Sequence, residues 1–279
     1  MKRPIKSVVQ NRIKALLNIS PRLKFIYDQQ RRNRNLFREP VQTPFGFKFC
    51  GNKGMESGGF EQEESCVIQK MLGEAELFIN IGANIGYYAC IAASMGKKVV
   101  AFEPDIDNCR LLYKNIYLNK FDELVEIFPI ALAERAGLLN LFGFSTGASL
   151  VNIWNSREDG VLVPVHDMDT LLAHRVVGRR CLFLLDVEGA EHLVLRGGKK
   201  CIAEADAKWV VEIMPPCQHG NQLAAAEKFT SVFRLFSDSG FSAFLLSGGA
   251  EITQNEIDQA GRGEPSRITG QVMFGFSRK

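Results

Sequence analysis

The chain has 279 residues, of which 46% are hydrophobic, so it can bury one substantial core, and one large domain with an appendage is favoured over two equal domains. No segment approaches the roughly 20 apolar residues of a membrane span, and the N-terminus lacks the apolar core of a signal peptide. Seven cysteines are scattered without a C-x-x-C pair, which argues against a disulfide framework or a zinc site and predicts a reducing, cytoplasmic compartment.

Positive charge is concentrated at the N-terminal end of the chain. Residues 1–39 contain eleven Lys or Arg residues against two acids, so the nominal net charge of +3 combines a basic arm with an acidic body. Such an arm can contact nucleic acid, an acidic lipid surface or an acidic partner. A solvated helical lead-in that packs on the body is the alternative. We predict residues 1–55 as this arm and a lead-in hairpin, and residues 56–279 as the main domain.

Strands and helices alternate along the chain. After the hairpin, which is indicated by the alternation at 45–49, the apolar pattern predicts strands at 76–81, 97–102, 125–129, 181–186, 208–213, 241–246 and 271–277. Helices are predicted at 61–72, at 86–95, at 107–119 with Asp107 as its N-cap, up to Gly197–Gly198, and at 222–239. This alternation predicts an α/β fold with a doubly wound, mostly parallel, seven-stranded sheet.

The turn after the first of these strands is the most informative motif. Gly82 and Gly86 lack a Cβ, so the backbone can turn sharply and approach a ligand closely. The next helix begins at this turn and points its unpaired N–H groups at the same place. Glu103 follows Gly82 by 21 residues and ends the next apolar run, where its carboxylate can accept hydrogen bonds from both hydroxyls of a ribose. The motif therefore predicts a nucleoside-binding site.

The glycine spacing bears on which nucleoside fits. Dinucleotide sites use G-x-G-x-x-G, but here Asn84 and Tyr87 occupy the second and third glycine positions. S-adenosylmethionine carries no phosphate and tolerates this filling better than a nicotinamide or flavin dinucleotide does. A glycine turn without a ligand remains the alternative.

Polar residues end several of the predicted strands. Asn80, Glu103, Ile130, Asp186 and Glu212 each fall at the carboxyl end of a different strand. In open parallel sheets, ligands bind at this edge. Buried acids are costly unless they are paired or functional, so three carboxylates at three strand ends indicate a site.

Three separated motifs resemble the FkbM-type methyltransferases, which are class I enzymes with a Rossmann-like fold that use S-adenosylmethionine. The resemblance covers roughly residues 42–214 and implies methylation of a hydroxyl of a sugar, glycan or other small metabolite. The motifs are Asn80–Tyr88, Ala101–Pro104 with Asn108, and Asp186–Glu191 with Leu195 and Gly197.

The resemblance, together with the turn and strand-end positions, implies the site residues. Asp186, Glu188 and His192 are the catalytic candidates, and Glu188 and His192 share a helix face if the helix starts by Glu188. Asp186 can alternatively hold cofactor or Mg²⁺, although no dedicated metal site is predicted and Mg²⁺ is not favoured. The implied cofactor-binding residues are Glu61, Asn80, Gly82, Asn84, Gly86, Tyr87, Glu103, Pro104, Ala131 and Asp186.

Two positions depart from the family pattern. Asn80 stands where the family usually has aspartate, and Leu184 where it often has lysine, so contact with the cofactor's ammonium is expected to lose its charge-assisted part. The Asp186–Gly189 segment also replaces the Asn/Asp-Pro-Pro-aromatic motif of nucleic-acid amino-methyltransferases, which argues against a nucleic-acid substrate. Two alternatives stay open: transfer to another nucleophile, and a non-catalytic protein that contacts an acidic partner or surface through residues 1–39.

Overall fold

The computed structural model describes residues 34–143, 147–152, 160–214 and 222–278, so most of the predicted basic arm lies outside the described residues. Val41–Lys279 forms one compact unit, and the lead-in hairpin lies in the same unit as the main sheet. None of the described helices combines the length and apolar character needed to cross a bilayer. The six cysteines among the described residues are free, and all except Cys66 are buried.

The elements are numbered in chain order. The strands are β1 Val41–Gln42, β2 Lys48–Phe49, β3 Leu77–Ile81, β4 Lys98–Phe102, β5 Val125–Phe128, β6 Ala131–Leu132, β7 Gly137–Leu141, β8 Val161–His166, β9 Arg180–Leu185, β10 Asp206–Glu212, β11 Phe241–Leu245 and β12 Met273–Arg278. The helices are α1 Lys53–Ser57, α2 Gln62–Glu74, α3 Tyr87–Ser94, α4 Ile106–Tyr117, α5 Met168–Val176, α6 Glu191–Arg196, α7 Lys199–Glu204, α8 Gln222–Ser237 and α9 Gln254–Gly261.

The main sheet confirms the predicted architecture. Within the described residues, seven strands pair in the order β11-β12-β10-β9-β3-β4-β5. β12 runs antiparallel to both of its neighbours, and the other pairs are parallel. The chain order reverses between β3 and β9, which places the predicted ligand edge at the carboxyl ends of these central strands.

Both faces of the sheet are covered by helices. Along β3, Leu77, Ile79 and Ile81 belong to a core cluster on one face, because successive strand side chains point to opposite faces. Phe78 belongs to the cluster on the other face, which includes Leu112 of α4. Each large apolar side chain buried in this way contributes about 1.5–3 kcal/mol. The central strands are thus fixed tightly, and the side chains at their carboxyl ends are held in place.

One helix prediction needs correction, and one further helix was not predicted. Asp105, rather than Asp107, is the N-cap of α4, and its side chain accepts hydrogen bonds from the N–H groups of Asp107 and Asn108. The helix predicted up to Gly197–Gly198 is followed at once by a second short helix, α7, which the sequence did not indicate. A Cβ at Gly197 would overlap the carbonyl oxygen of Ala133, so a close contact with the chain beyond β6 fixes glycine at this break.

The stretch between β5 and β9 contains structure that the sequence pattern left irregular. β8 pairs in parallel with β6 and antiparallel with β7, forming a three-stranded sheet. Leu141, Val163 and Val165 form the small core of this sheet, together with Ala131 and Ala133. The sheet lies beside the carboxyl edge of the main sheet and supplies one wall of the cavity there.

Candidate functional site

A cavity of about 340 Å³ opens at the carboxyl edge of the main sheet. This volume is within the range of small-molecule sites. It brings together residues from the N-terminal end of α2, the turns after β3, β4 and β9, and the carboxyl end of β10. The sequence-predicted residues that line it are Glu61, Gly82, Asn84, Glu103, Pro104, Ala131, Asp186 and Glu188, together with the strand-end residues Ile130 and Glu212.

The turn after β3 lies directly against the turn after β9. The N–H of Asp186 donates to the carbonyl oxygen of Ile81 at 3.0 Å. Gly82 has φ 84°, in the left-handed region, and a Cβ there would overlap the carbonyl oxygen of Asp186. Both facts require glycine at this position, and they leave bare backbone facing the cavity.

Asn84 and Glu103 both line the cavity, and a hydrogen bond joins them. Asn84 has φ 51°, which asparagine tolerates better than most residues, and its N–H donates to Glu103 Oε2 at 2.7 Å. Glu103 Oε1 accepts from the N–H of Asp105 at 2.8 Å and from Asn108 Nδ2 at 3.3 Å. These bonds orient the carboxylate rigidly, and a carboxylate has further lone pairs for ligand hydroxyls.

Burial strongly affects the protonation of Glu103, which is only 4% exposed. Desolvation raises its pKa to about 7, even though the hydrogen bonds from Asp105, Asn84 and Asn108 oppose this shift. A ligand hydroxyl that donates to the carboxylate would stabilise the ionised form further.

Asp186, Glu188 and Glu212 form an acidic cluster facing the same cavity. One oxygen of each carboxyl group lies within 4.8 Å of the others, and among the described residues this is the group with spacing suited to a metal ion. The pKa of Asp186 is raised well above its ordinary value. Burial is the largest cause, and the neighbouring Glu212 carboxyl group adds to it. Burial likewise raises the pKa of Glu188 and of Glu212 to about 7. The cluster therefore shares protons near neutral pH.

The turn after β9 changes the expected relation between Glu188 and His192. Glu188 has φ 56° and Gly189 has φ 91°, so both precede α6 in left-handed conformation, and the helix begins at Glu191. The two candidates therefore do not share a helix face. His192 is 8% exposed and does not line the cavity, and burial, followed by Lys228 and Arg196, lowers its pKa to about 4. The expectation that placed it with Glu188 on one face is wrong.

Three predicted cofactor residues lie behind the cavity wall instead of lining it. Asn80 is the last residue but one of β3 and is 2% exposed. Gly86, with φ 89°, is the N-cap residue of α3 and packs against Leu112. Tyr87 is buried among aromatic rings, with its ring centroid 5.4 Å from that of Phe60. These residues support the turn from within the core.

A larger depression of about 900 Å³ lies at the opposite edge of the main sheet. Its lining is charged, and it includes an ion pair between Arg175 and Glu126, as well as Glu76, which pairs with Arg180. Surface ion pairs of this kind are mostly solvated and contribute little. The smaller cavity, with its convergent carboxylates, is the candidate site.

A model of the methyltransferase FkbM domain matches residues 80–243, which is more than half of the chain. The chain belongs to the FkbM methyltransferase family. No curated protein matches the chain in sequence. Family membership supports dependence on S-adenosylmethionine, and the sheet is that of a Rossmann-like class I methyltransferase.

Solved structures with a similar fold are distant in sequence. Methyltransferase FkbM from Methylobacillus flagellatus KT is 16% identical with a TM-score of 0.44, and the alignment covers 73% of this chain and 44% of that chain. A TehB-like SAM-dependent methyltransferase from Corynebacterium glutamicum ATCC 13032 Kitasato is 11% identical with a TM-score of 0.42, covering 93% of this chain and 100% of that chain. P. horikoshii TYW2 in complex with MeSAdo is 15% identical with a TM-score of 0.34, and the alignment covers 71% of this chain and 59% of that chain.

This FkbM domain has cavity residues that sequence reasoning missed. The three-stranded sheet contributes Leu141, and the segment between β7 and β8 contributes Ala148, Ser149 and Leu150. Asn52, which precedes α1, also lines the cavity. Alternation of apolar residues at Val161, Val163 and Val165 was a usable signal for β8. The side on which the small sheet would pack was not readable, because packing depends on contacts distant in sequence.

Glu103→Ala should weaken binding of S-adenosylmethionine by about 2–4 kcal/mol, because charge-assisted hydrogen bonds to the ribose hydroxyls are lost. Calorimetry with purified protein measures this effect, and thermal unfolding checks that the variant folds. Glu123→Ala removes an exposed carboxylate at the opposite edge of the sheet and is the matched control. Unchanged affinity in folded Glu103→Ala protein would place the ribose elsewhere.

Glu212→Gln should stabilise the protein at pH 8. Because the folded-state pKa of Glu212 is raised, the folded protein retains a proton that the unfolded chain releases, and stability falls as pH rises from about 4.5 to 7. Glutamine avoids this loss, so we expect a gain of about 1–2 kcal/mol at pH 8, or about 3–6 °C in Tm. The gain should disappear towards pH 4.5.

Thermal unfolding at several pH values measures this gain. Glu134→Gln, at an exposed carboxylate, controls for the loss of one negative charge. A gain for Glu212→Gln that does not change with pH would contradict the proton-sharing explanation.

Proposed function

We propose that this FkbM-family protein methylates a hydroxyl oxygen of a sugar, glycan or other small metabolite, using S-adenosylmethionine. The observation that carries the proposal is one cavity with a side formed by the glycine turn and Glu103 and a second, acidic side. Gly82, Asn84 and Glu103 line the first, and Asp186 and Glu188 line the second. A donor bound on the first side would present its methyl group to an acceptor on the second.

The cavity residues fit this cofactor. Gly82 lines the cavity, and Glu103 supplies a buried, oriented carboxylate for the ribose. Four carboxylates, from Glu61, Asp186, Glu188 and Glu212, line the same cavity. A ligand that carries both an ammonium group and a positively charged sulfur would favour the ionised forms of these carboxyl groups. These residues would therefore hold S-adenosylmethionine.

The residues have a limited chemical task. S-adenosylmethionine supplies an already activated methyl group when it is bound. The protein must align the acceptor oxygen, remove its proton and exclude water. With a pKa of about 7, Glu188 is suited to accept that proton near neutral pH. Burial raises the pKa of Asp186, and its protonated form can donate a hydrogen bond to Glu212 or to the acceptor.

Two measurements test the proposal. Calorimetry should detect S-adenosylmethionine and S-adenosylhomocysteine binding to the purified protein, with NAD as the control ligand. Methyl-labelled cofactor should then be incubated with a panel of carbohydrate and lipid-linked acceptors, and the methylated position should be mapped. Tight NAD binding without heat from the first two ligands would refute the cofactor assignment. Label transfer to nitrogen or sulfur alone would refute the hydroxyl acceptor.

The partner and compartment proposals rest on sequence features. Contact with an acidic surface through residues 1–39 remains a proposal, since most of this arm lies outside the described residues. A cytoplasmic location is proposed because the cysteines within the described part are free. If the protein is a non-catalytic binding module instead, no acceptor should be methylated, and deletion of residues 1–39 should abolish partner capture.

A further inference from the structure

Glu61 occupies an unusual position at the mouth of the cavity. It is the N-cap residue of α2, yet its side chain makes no capping hydrogen bond. Its backbone is in the left-handed region, with φ 42° and ψ 54°. This conformation is unfavourable for a residue with a Cβ, and such strain concentrates at functional sites. The strained backbone carries a carboxylate that lines the cavity rather than caps its helix.

The Tyr88 hydroxyl holds this carboxylate, and the Ser65 hydroxyl lies beside that of Tyr88. The Tyr88 hydroxyl donates to Glu61 Oε2 at 2.8 Å. Ser65 Oγ lies 3.3 Å from the same hydroxyl and donates to the carbonyl oxygen of Phe60 at 3.1 Å. Tyr88 and Ser65 are 7% and 3% exposed, so the support is rigid. Tyr88 belongs to α3, the helix that begins at the Gly82–Gly86 turn, and this ties the position of Glu61 to the cofactor turn.

Burial raises the pKa of this carboxyl group, so a nearby positive charge is needed to favour its ionised form. Among the described residues that line the cavity, none is Lys, Arg or His. The hydrogen bond that Glu61 accepts comes from a neutral hydroxyl, that of Tyr88. Glu61 therefore retains its capacity to accept a charge-assisted bond from a cation.

Asn80 cannot provide this charge. It is neutral, it is 2% exposed, and it does not line the cavity. We propose that Glu61, held by Tyr88 and Ser65, binds the ammonium group of the methionine part of S-adenosylmethionine. Glu61 is then a cofactor-binding residue, and Tyr88 and Ser65 are positioning residues. The inference rests on the proposed use of this cofactor.

Two probe ligands separate an ammonium contact from a general defect. S-adenosylhomocysteine contains the amino-acid part, and 5′-methylthioadenosine lacks it but keeps the nucleoside. In calorimetry, Glu61→Gln should weaken S-adenosylhomocysteine binding about 10- to 100-fold and leave 5′-methylthioadenosine binding unchanged. Tyr88→Phe should shift the ratio of the two affinities in the same direction by about 2- to 10-fold. Glu63→Gln is the control, because Glu63 is in the first turn of α2 and outside the cavity lining. This variant should leave the ratio of the two affinities unchanged.

The outcomes distinguish this inference from the proposed function. If the parent protein binds neither probe, the proposed cofactor is wrong. If the parent binds both and Glu61→Gln leaves their affinity ratio unchanged, or weakens both equally, the ammonium is not at Glu61. Recovery of S-adenosylhomocysteine affinity in the double variant Glu61→Gln/Asn80→Asp would also overturn the inference, because the ammonium would then lie within reach of residue 80.

Discussion

Gly82→Ala should destabilise the protein by more than about 3 kcal/mol and abolish measurable cofactor binding. The new Cβ would overlap the carbonyl oxygen of Asp186, and φ 84° is unfavourable for alanine. Relief requires the turns after β3 and β9 to separate, which breaks the 3.0 Å hydrogen bond between Asp186 and Ile81. Urea unfolding and calorimetry with S-adenosylhomocysteine measure the two effects.

Gly96→Ala is the matched control for this substitution. Gly96 also has a left-handed φ, of 74°, but its added Cβ would meet no atom within 4 Å. The free energy of unfolding of this variant should fall by only about 1–2 kcal/mol, which is the strain of a left-handed alanine, and the variant should keep its cofactor affinity. Equal losses of stability and affinity in the two variants would show that contact between the two turns is not what requires glycine at position 82.

Removing the charge of the acidic cluster should have the largest effect on the reaction. We expect at least one of Asp186→Asn and Glu188→Gln to reduce turnover by about 10²- to 10⁴-fold, because a general base or an acceptor-orienting group is lost. Since the pKa of Glu188 is about 7, parent activity should rise with pH through this value, and Glu188→Gln should lose that rise. Methyl-transfer rates across pH, with the acceptor identified by the labelling panel, measure this prediction.

Controls for the catalytic variants separate charge loss from misfolding. Glu123→Gln, at the far edge of the sheet, should retain full turnover. If Asp186 holds a metal ion, activity should be lost with EDTA and restored by Mg²⁺. Full activity in both Asp186→Asn and Glu188→Gln would refute the assignment and direct the search for a base to Glu212, which lines the same cavity.

Much of the fold and half of the site are readable from local sequence. The β3 strand, the Gly82 turn, α3 and β4 follow one another along the chain, and each has its own periodicity or turn signal. Since parallel strands align their carboxyl ends, the meeting of Glu103, Asp186 and Glu212 at one edge also followed from the strand boundaries. These three side chains line the observed cavity, whereas Asn80, predicted at the same edge, does not.

Conformation within the short turn after β9 was not readable in the same way. The spacing of Glu188 and His192 suits one helix face, but two successive left-handed residues delay the start of α6 to Glu191. Contact between the turns after β3 and β9 involves segments about a hundred residues apart, and periodicity carries no information about such a contact. His192 therefore lies outside the cavity although its spacing is suitable.

The sequence by itself determined the doubly wound sheet, the glycine turn and the carboxylate that ends β4, because each depends on local periodicity or on a missing Cβ. The tertiary structure alone decided that Asn80 lies behind the cavity wall and that Tyr88 holds Glu61 at its mouth. It also decided that Asp186, Glu188 and Glu212 each bring one carboxyl oxygen within 4.8 Å of the others. These features depend on burial and on distances between residues far apart in the chain, and both are set only when the elements pack together.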